Sequence, residues 1–439
     1  MNNYYLEPNT EITAKVIENI IKRHEKELSR FELLNDYYRN SSKITKNLDG
    51  KVITRTGYAK YIVRLNTGYL LGQPVQYQTS EDYDITPLDN VYKAQVIPNM
   101  DKKIAKDCSI YGRAFEQIYS DGESNIKSAK IDVRNAFLVR DSSVEHNKLF
   151  GVVYEAIYDD KGVKKEREYR ITVLKSSVIE RYVLKNGNLS SDGEPEEHYF
   201  GEVPLIEYLN DDDARGDFED VLSDIDAYNI LKSDRLMDRR KLADAILAIS
   251  GARLDPEEKD SLMDSMVALL PDGAKMEYVS KNTDETGTDI LRRNINDDIH
   301  KISMTPDMTD QNFIGNSSGV ALAYKILPFM LNNSDKRASL ESGLMERFRI
   351  YNKFLNHKKL MGEVPTDQVD IIFKNSLPKN DLETSQIINN LSGTGLVDKS
   401  TLAAQLSFVQ NAEEIVSLAK KELEELPAEA NNFGEEGEE

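Results

Sequence analysis

The longest helical pattern in the chain runs from Ser318, a candidate N-cap, to about Leu360, roughly 60 Å if straight at ~1.5 Å per residue. It cannot be straight. Pro328 lies inside it, takes away a backbone donor and clashes with the carbonyl of Tyr324, so a kink is expected there. Directly before the helix stands "NFIGNSSGVALAYK", residues 312–325, and a glycine-rich turn ahead of a helix raises the question of a phosphate cradle. The spacing answers it. A P-loop separates its two glycines by five positions and follows them with Lys and Ser/Thr, whereas Gly315 and Gly319 are four apart and Val320 stands where the Lys belongs. The loop bends easily but holds no phosphate.

The 439 residues carry a formal net charge of -20, and such a surface repels DNA phosphate instead of gripping it. If the protein handles DNA, it does so without holding it. Cys108 is the single cysteine, which excludes an intramolecular disulfide. The first thirty residues lack the apolar core of a signal peptide, and no run approaches the ~18 apolar residues of a membrane span, so a cytosolic chain without membrane contact is expected. His24, His146, His198, His300 and His357 are scattered without a second ligand at i+3 or i+4, so they are read as surface or partly packed residues, and neither a metal nor a cofactor is expected. No two-metal carboxylate cluster or His-containing triad can be assembled either, which argues against an enzyme.

Val16, Ile17, Ile20, Ile21, Leu28, Phe31, Leu34 and Tyr38 mark one face of a helix over 11–39. A second apolar stretch, "YAKYIVRLNTGYLLG", ends at Gly72, after which "GQPVQYQ" reads as a strand, and 91–111 is helical again. Four β-rich segments follow, "AFEQIYSDGES", "IDVRNAFLVRD", "GVVYEAIYDDKG" and "EREYRITVLKSSVIERYVLKNGN", with Asp121-Gly122, Asp160-Lys161-Gly162 and Asn186-Gly187 as turns. Residues 1–210 are therefore an α+β domain. The acidic stretch "LNDDDARGD" that closes it spaces Asp211 and Asp213 like calcium ligands, but the twelfth position is Leu222 where a Glu is required, which leaves a solvated linker.

Residues 218–249 then read as one helix whose middle, "KSDRLMDRRK", has five basic and two acidic side chains and must face solvent or an oppositely charged partner. "DPEEKDSLMDSMVALLPDG" is a helix capped by Asp255 and Glu258, "AKMEYVSK" a strand, and a further helix opens near Thr288 and stops before Pro306. After the long helix come a strand, "QVDIIFKNSLP", and two or three short helices divided by Gly393, Gly395 and the N-cap Ser400. The last eighteen residues hold eight Glu and no Lys or Arg, a composition that favours disorder. The fold class is α+β, mainly helical.

This order of elements, with "YIVRLNTGYLLGQPVQY" at 61–77, "YGRAFEQIY" at 111–119, "VLSDIDAYNILKSD" at 221–234, "NSSGVALAYK" at 316–325 and "IIFKNSLPKND" at 371–381, resembles the portal, or head-to-tail connector, proteins of tailed bacteriophages, in the branch typical of siphophages of Gram-positive hosts. The resemblance implies a ring at one capsid vertex, of twelve subunits or thirteen when expressed alone, through which double-stranded DNA is packaged and ejected. It implies a virion protein, assembled in the host cytoplasm, that docks the terminase large subunit and later head-tail connector proteins, beside scaffolding and major capsid protein. Mapped onto this sequence it gives a wing (1–217), a stem helix (218–250), a clip (251–287), a second stem helix (288–304), a tunnel loop (305–318), a kinked helix with a wing strand (319–378), a crown (379–429) and an acidic tail (430–439). Within the loop, Gln311, Asn312, Phe313, Ile314, Gly315, Asn316 and Ser317 are the candidate DNA-channel residues, and Glu257, Glu258 and Asp260 in the clip are the candidates for terminase docking.

Two other classes compete. A nucleic-acid processing enzyme or packaging motor would need the catalytic groups that are missing above. A DNA-binding regulator has some support in the helix-turn-helix rhythm of "GLVDKSTLAAQLSFVQ", but the second helix has no Arg, so base reading lacks donors.

Overall fold

In the computed structural model residues 4–8, 10, 12–41, 54–80, 83–158, 161, 164–185, 188–243, 246–251, 273–279, 285–309, 323–374, 381–406, 409 and 412–425 are described. They fall into two units, Met1–Gly315 with Tyr324–Asn375, and Asn316–Ala323 with Ser376–Glu439.

The expected stripe builds the first layer. Helix α1 (Ala14–Tyr38) begins at Thr13, whose side chain accepts the Val16 N–H, and it lays Ile17, Ile20 and Ile21 on a sheet face made of Phe137, Val139, Phe150, Val152, Ile171 and Val173. That sheet has seven strands in the order β1 (Tyr4–Leu6), β5 (Ala136–Asp141), β6 (Lys148–Tyr158), β7 (Lys164–Leu174), β8 (Val178–Lys185) and β10 (Glu196–Glu197), with β9 (Asn188–Ser191) also on β8. All its pairs are antiparallel except β1–β5. A three-stranded sheet, β11 (Leu205–Leu209), β3 (Arg113–Ser120) and β4 (Ile126–Ile131), forms a second layer. Helices α2 (Tyr58–Leu71), α3 (Thr86–Ala94) and α4 (Ile97–Tyr111) precede it in sequence and share its buried cluster. Strand β2 (Gln76–Thr79) pairs with β14 (Val369–Ile372), which returns the late segment of the chain to the N-terminal domain.

Four expectations change. The 91–111 helix is two helices broken at Gln95–Val96, where Val96 takes φ +53 and Pro98 sits in the first turn of α4. The 218–249 helix is α5 (Leu222–Ala243) followed by strand β12 (Ile246–Ser250), which pairs with β13 (Lys275–Val279). A lone "AKMEYV" strand would leave its backbone donors and acceptors unmatched, and the apolar Ile246-Leu247-Ala248-Ile249 segment supplies the partner. Helix α6 spans Glu285–Ile302. The long helix is broken next to Pro328 rather than merely kinked: residues 323–325 are helical, Ile326 is not, and α7 runs Leu327–His357 with Pro328 in its first turn. In the first turn the missing proline N–H costs no intrahelical bond.

The acidic linker is the fourth. It is not solvated throughout, for Asn210, Ala214 and Asp217 are buried. Gly112 shows why the chain passes so close here. It caps α4 at φ +83, and a Cβ on it would lie 1.8 Å from the Ala214 carbonyl oxygen. Likewise a Cβ on Gly343 in α7 would lie 2.4 Å from the Tyr208 ring, so the long helix sits almost in contact with β11.

In the second unit, where two or three short helices are expected, the described residues form three: α8 (Asp381–Ser392), α9 (Lys399–Ala403) and α10 (Ala412–Glu425). The N-cap of α9 is Asp398 rather than Ser400, accepting the N–H groups of Ser400 and Thr401, both at 2.9 Å. The Asp255 helix, the Ser318 cap and the acidic tail lie outside the described residues.

His24 also departs from the surface reading, being 3% exposed. It lies between Tyr154 Oη at 2.8 Å and the Val133 carbonyl at 3.2 Å. Burial pushes it down from 6.5 to about 4, opposed by the Val133 carbonyl and helped by Arg113. Between those values the unfolded chain binds a proton that the folded protein refuses. Stability is therefore intact above pH 6.5 and is lost as pH falls toward 4, by about 3 kcal/mol at ~1.4 kcal/mol per unit. Urea unfolding of a His24→Gln variant, though weaker at pH 7, should fall less between pH 7 and pH 4 than the wild type does; equal slopes would contradict this origin.

Candidate functional site

Helices α5 and α6 pair antiparallel. Arg235 of α5 reaches Glu285 and, at 3.7 Å, Asp289 at the start of α6, while Tyr228, two turns earlier on α5, accepts from Arg292 at 3.3 Å. At the base of the pair Ile225 and Ile299 join one buried cluster, and Tyr58 of α2 donates to Asn296 at 2.5 Å. The other faces are unusual for an isolated helix pair. Ile230 and Leu236 on α5, and Ile290, Leu291 and Ile302 on α6, stand exposed, Ile290 at 54% and Leu291 at 50%. Buried inward faces and exposed apolar outward faces mean that the pair is only half covered by its own chain.

Below it the chain is fixed by a buried polar hub centred on Asn66 of α2. The Asn66 amide donates to the Ile62 carbonyl at 3.0 Å and to Thr305 Oγ1 at 3.2 Å. Its carbonyl oxygen accepts from Asn333 Nδ2 and from Lys336 Nζ, both at 3.0 Å. Lys336 in turn pairs with Asp217 at 2.7 Å, the two side chains being 6% and 1% exposed. Asp217 also accepts from Ser109 Oγ at 2.5 Å and Asn210 Nδ2 at 2.6 Å. A buried charge is tolerable only when it is paired and its remaining sites are hydrogen-bonded, and both conditions hold here.

The hub joins three places that are distant in sequence. Asp217 precedes α5, Thr305 follows α6, and Asn333 and Lys336 stand near the start of α7. Beyond Thr305 the chain is fixed again. His300 Nδ1 donates to the Thr305 carbonyl at 2.8 Å, and the Tyr61 hydroxyl donates to the Pro306 carbonyl at 2.8 Å and accepts the Met308 N–H at 3.0 Å. Burial pushes the Asp307 carboxyl up, but the Thr309 hydroxyl and N–H, the Asn296 amide and His300 together hold it below the usual range. The described segments on either side of 310–322 are thus held on α2.

The candidate loop residues Gln311, Asn312, Phe313, Ile314, Gly315, Asn316 and Ser317, and the clip residues Glu257, Glu258 and Asp260, lie outside the described residues. Sequence reading missed the hub. Its signal was there, since Phe329, Asn333, Lys336 and Leu340 step by four, three and four along one face of α7, and all four are buried. Polar residues occupying stripe positions mark a buried network. Among the described residues no cluster of three or more His, Cys, Asp or Glu could hold a metal, and no helix is long and apolar enough to cross a membrane.

The sequence matches the family described as phage portal protein, SPP1 Gp6-like, over residues 17–431. The chain belongs to that portal family. It is 21% identical over 396 residues to the portal protein of Bacillus phage SPP1, covering 85% of this chain and 77% of that one. It is also similar to a chain in the neck of an empty GTA particle computed with C6 symmetry (13% identical, TM-score 0.45, 85% and 94% of the two chains). A second similar chain comes from the virion of a native gene transfer agent particle (12% identical, TM-score 0.42, 86% and 93%). Portal family members are structural proteins of the virion, and this one is a portal at a capsid vertex for DNA.

Proposed function

We propose that copies of this portal chain close into a ring of twelve, thirteen when expressed alone, with α5 and α6 as the stem beside a central channel for double-stranded DNA. The observation that carries this is the exposed apolar face on α5 and α6, which a neighbouring copy would cover in a repeated head-to-tail interface. The clip is the paired strands β12 and β13 with the segment between them, so the first stem helix ends at Ala243 and not at 250. In that segment Glu257, Glu258 and Asp260 are the acidic residues that dock the terminase large subunit and then the head-tail connector proteins. Residues 379–429 form the crown, and scaffolding and major capsid proteins surround the wing during assembly in the host cytoplasm.

In this reading the segment Gln311–Ser317 is the tunnel loop. Gln311, Asn312, Asn316 and Ser317 offer neutral hydrogen bonds and no cation, so the loop touches any sequence and holds no phosphate tightly. The net charge of -20 fits a wall that does not neutralise a duplex carrying one charge per ~1.7 Å. The hub on Asn66 holds the described residues on either side of that segment against α2. Replacing Ile290 and Leu291 together by Glu is the test. Both face outward, so the variant should remain folded by circular dichroism and run as a monomer in native mass spectrometry where the wild type gives a closed oligomer. A wild type that stays monomeric at micromolar concentration, or an unaltered oligomer in the variant, contradicts the stem interface.

A further inference from the structure

On a chain of net charge -20, one cavity is lined by four cations and no carboxylate. It measures about 410 Å³ and lies where α1, α2 and α4 meet, with Arg64 from α2 and Lys102, Lys103 and Lys106 from α4 around it. Among the described residues none of the four is ion-paired. Lys106 Nζ instead stands 5.1 Å from the centroid of the Tyr38 ring, a cation–π geometry. The floor is apolar, formed by the buried Val63 and Leu71 with Gly68 between them.

Gly68 makes this more than an accident of surface charge. It sits in the interior of α2, where glycine weakens a helix. Its backbone does not need the left-handed region, and a Cβ built on it would meet nothing within 4 Å. Neither strain nor crowding requires a glycine there, and its effect is to leave the cavity open.

We propose that this cavity docks an acidic peptide segment carrying one apolar anchor side chain. The charge fits either a carboxylate-rich peptide or a nucleic-acid backbone, since both are anionic. The floor decides between them. A phosphate backbone presents nothing apolar to Val63, Leu71 and the open face at Gly68, whereas a peptide seats an apolar side chain there while its carboxylates meet Arg64 and the three lysines. Exposed lysines suit such a partner, as flexible point charges that need no fixed carboxylate geometry. All of its lining residues belong to the N-terminal unit.

The test uses the whole protein and fluorescence anisotropy with a labelled octapeptide of seven Glu and one central Phe. Binding should weaken with salt, because exposed charges are screened over ~8–10 Å. Lys102→Glu with Lys103→Glu should weaken it at least about 10-fold, and replacing the probe's Phe by Ala about 5-fold or more, as loss of a buried aromatic anchor does. Gly68→Leu, which fills the cavity, should also weaken binding while leaving the melting temperature equal to or above that of the wild type. No binding of the probe at 1 mM overturns the proposal. So does equal binding by the Gly68→Leu variant, or a 20-base-pair duplex that binds more tightly than the peptide and displaces it.

Discussion

Replacing Arg347 by Met should leave the N-terminal unit barely folded, at a cost of about 3–5 kcal/mol set against a total stability of ~5–15 kcal/mol for a typical domain. Arg347 and Glu116 are both 0% exposed. The Arg347 guanidinium donates through Nε to both oxygens of Glu116 at 2.9 Å, and Nη1 lies 2.7 Å from Asp101. Tyr208 donates to the same Glu116 at 2.6 Å. One cation on α7 therefore ties together α4, β3 and β11. Removing it strands two carboxylates in an apolar core, and burial already pushes Asp101 up against the pull of Arg347. Adding Glu116→Gln to the variant removes one stranded charge and should recover part of the loss. Urea unfolding followed by circular dichroism reads both changes, and an Arg347→Met protein within about 1 kcal/mol of wild type would show that the cluster does not hold the layers together.

Lys336→Met is the second large effect, and it is local. Its side chain is long enough to fill the space, but Asp217, 1% exposed, keeps only Ser109 and Asn210 as partners, and Asn66 loses one of its donors. The expected cost is again about 3–5 kcal/mol for one uncompensated buried charge. Asp217→Asn in the same chain should restore much of it, since the remaining amide is neutral. Hydrogen exchange separates this variant from a general loss of stability. Protection should fall first at 303–309, at the start of α7 and in α2, because those segments share Asn66. Uniform loss over the whole unit, or no loss at these segments, would count against a hub that roots the loop.

Much of the fold was legible because it depends on local signals. The α1 stripe, the hairpin at Asp121 and the stop at Gly72 follow from periodicity and turn chemistry, which need no knowledge of distant residues. What failed depends on partners far along the chain. Ile246–Ser250 has a composition that continues a helix about as readily as it forms a strand, and only pairing with Lys275–Val279 decides between them. Asp217 looks like part of a solvated acidic linker until Lys336, 119 positions later by number (336 minus 217), closes on it. The candidate site was legible as a family pattern, through stretches such as "YIVRLNTGYLLGQPVQY" and "NSSGVALAYK". The residues that root it were not, because Asn66, Thr305 and Asn333 carry no motif and act only together.

Single-particle cryo-electron microscopy of the purified protein tests the central claim most directly. The account requires a closed ring of twelve or thirteen copies around a channel wide enough for a ~20 Å duplex, with α5 and α6 side by side with those of neighbouring copies and Ile290 and Leu291 covered. Residues 311–317 must form the narrowest ring of the channel, and the segment between β12 and β13 must project at one end. Monomers, or a ring in which Ile290 and Leu291 face solvent and 311–317 lie away from the channel, would contradict it.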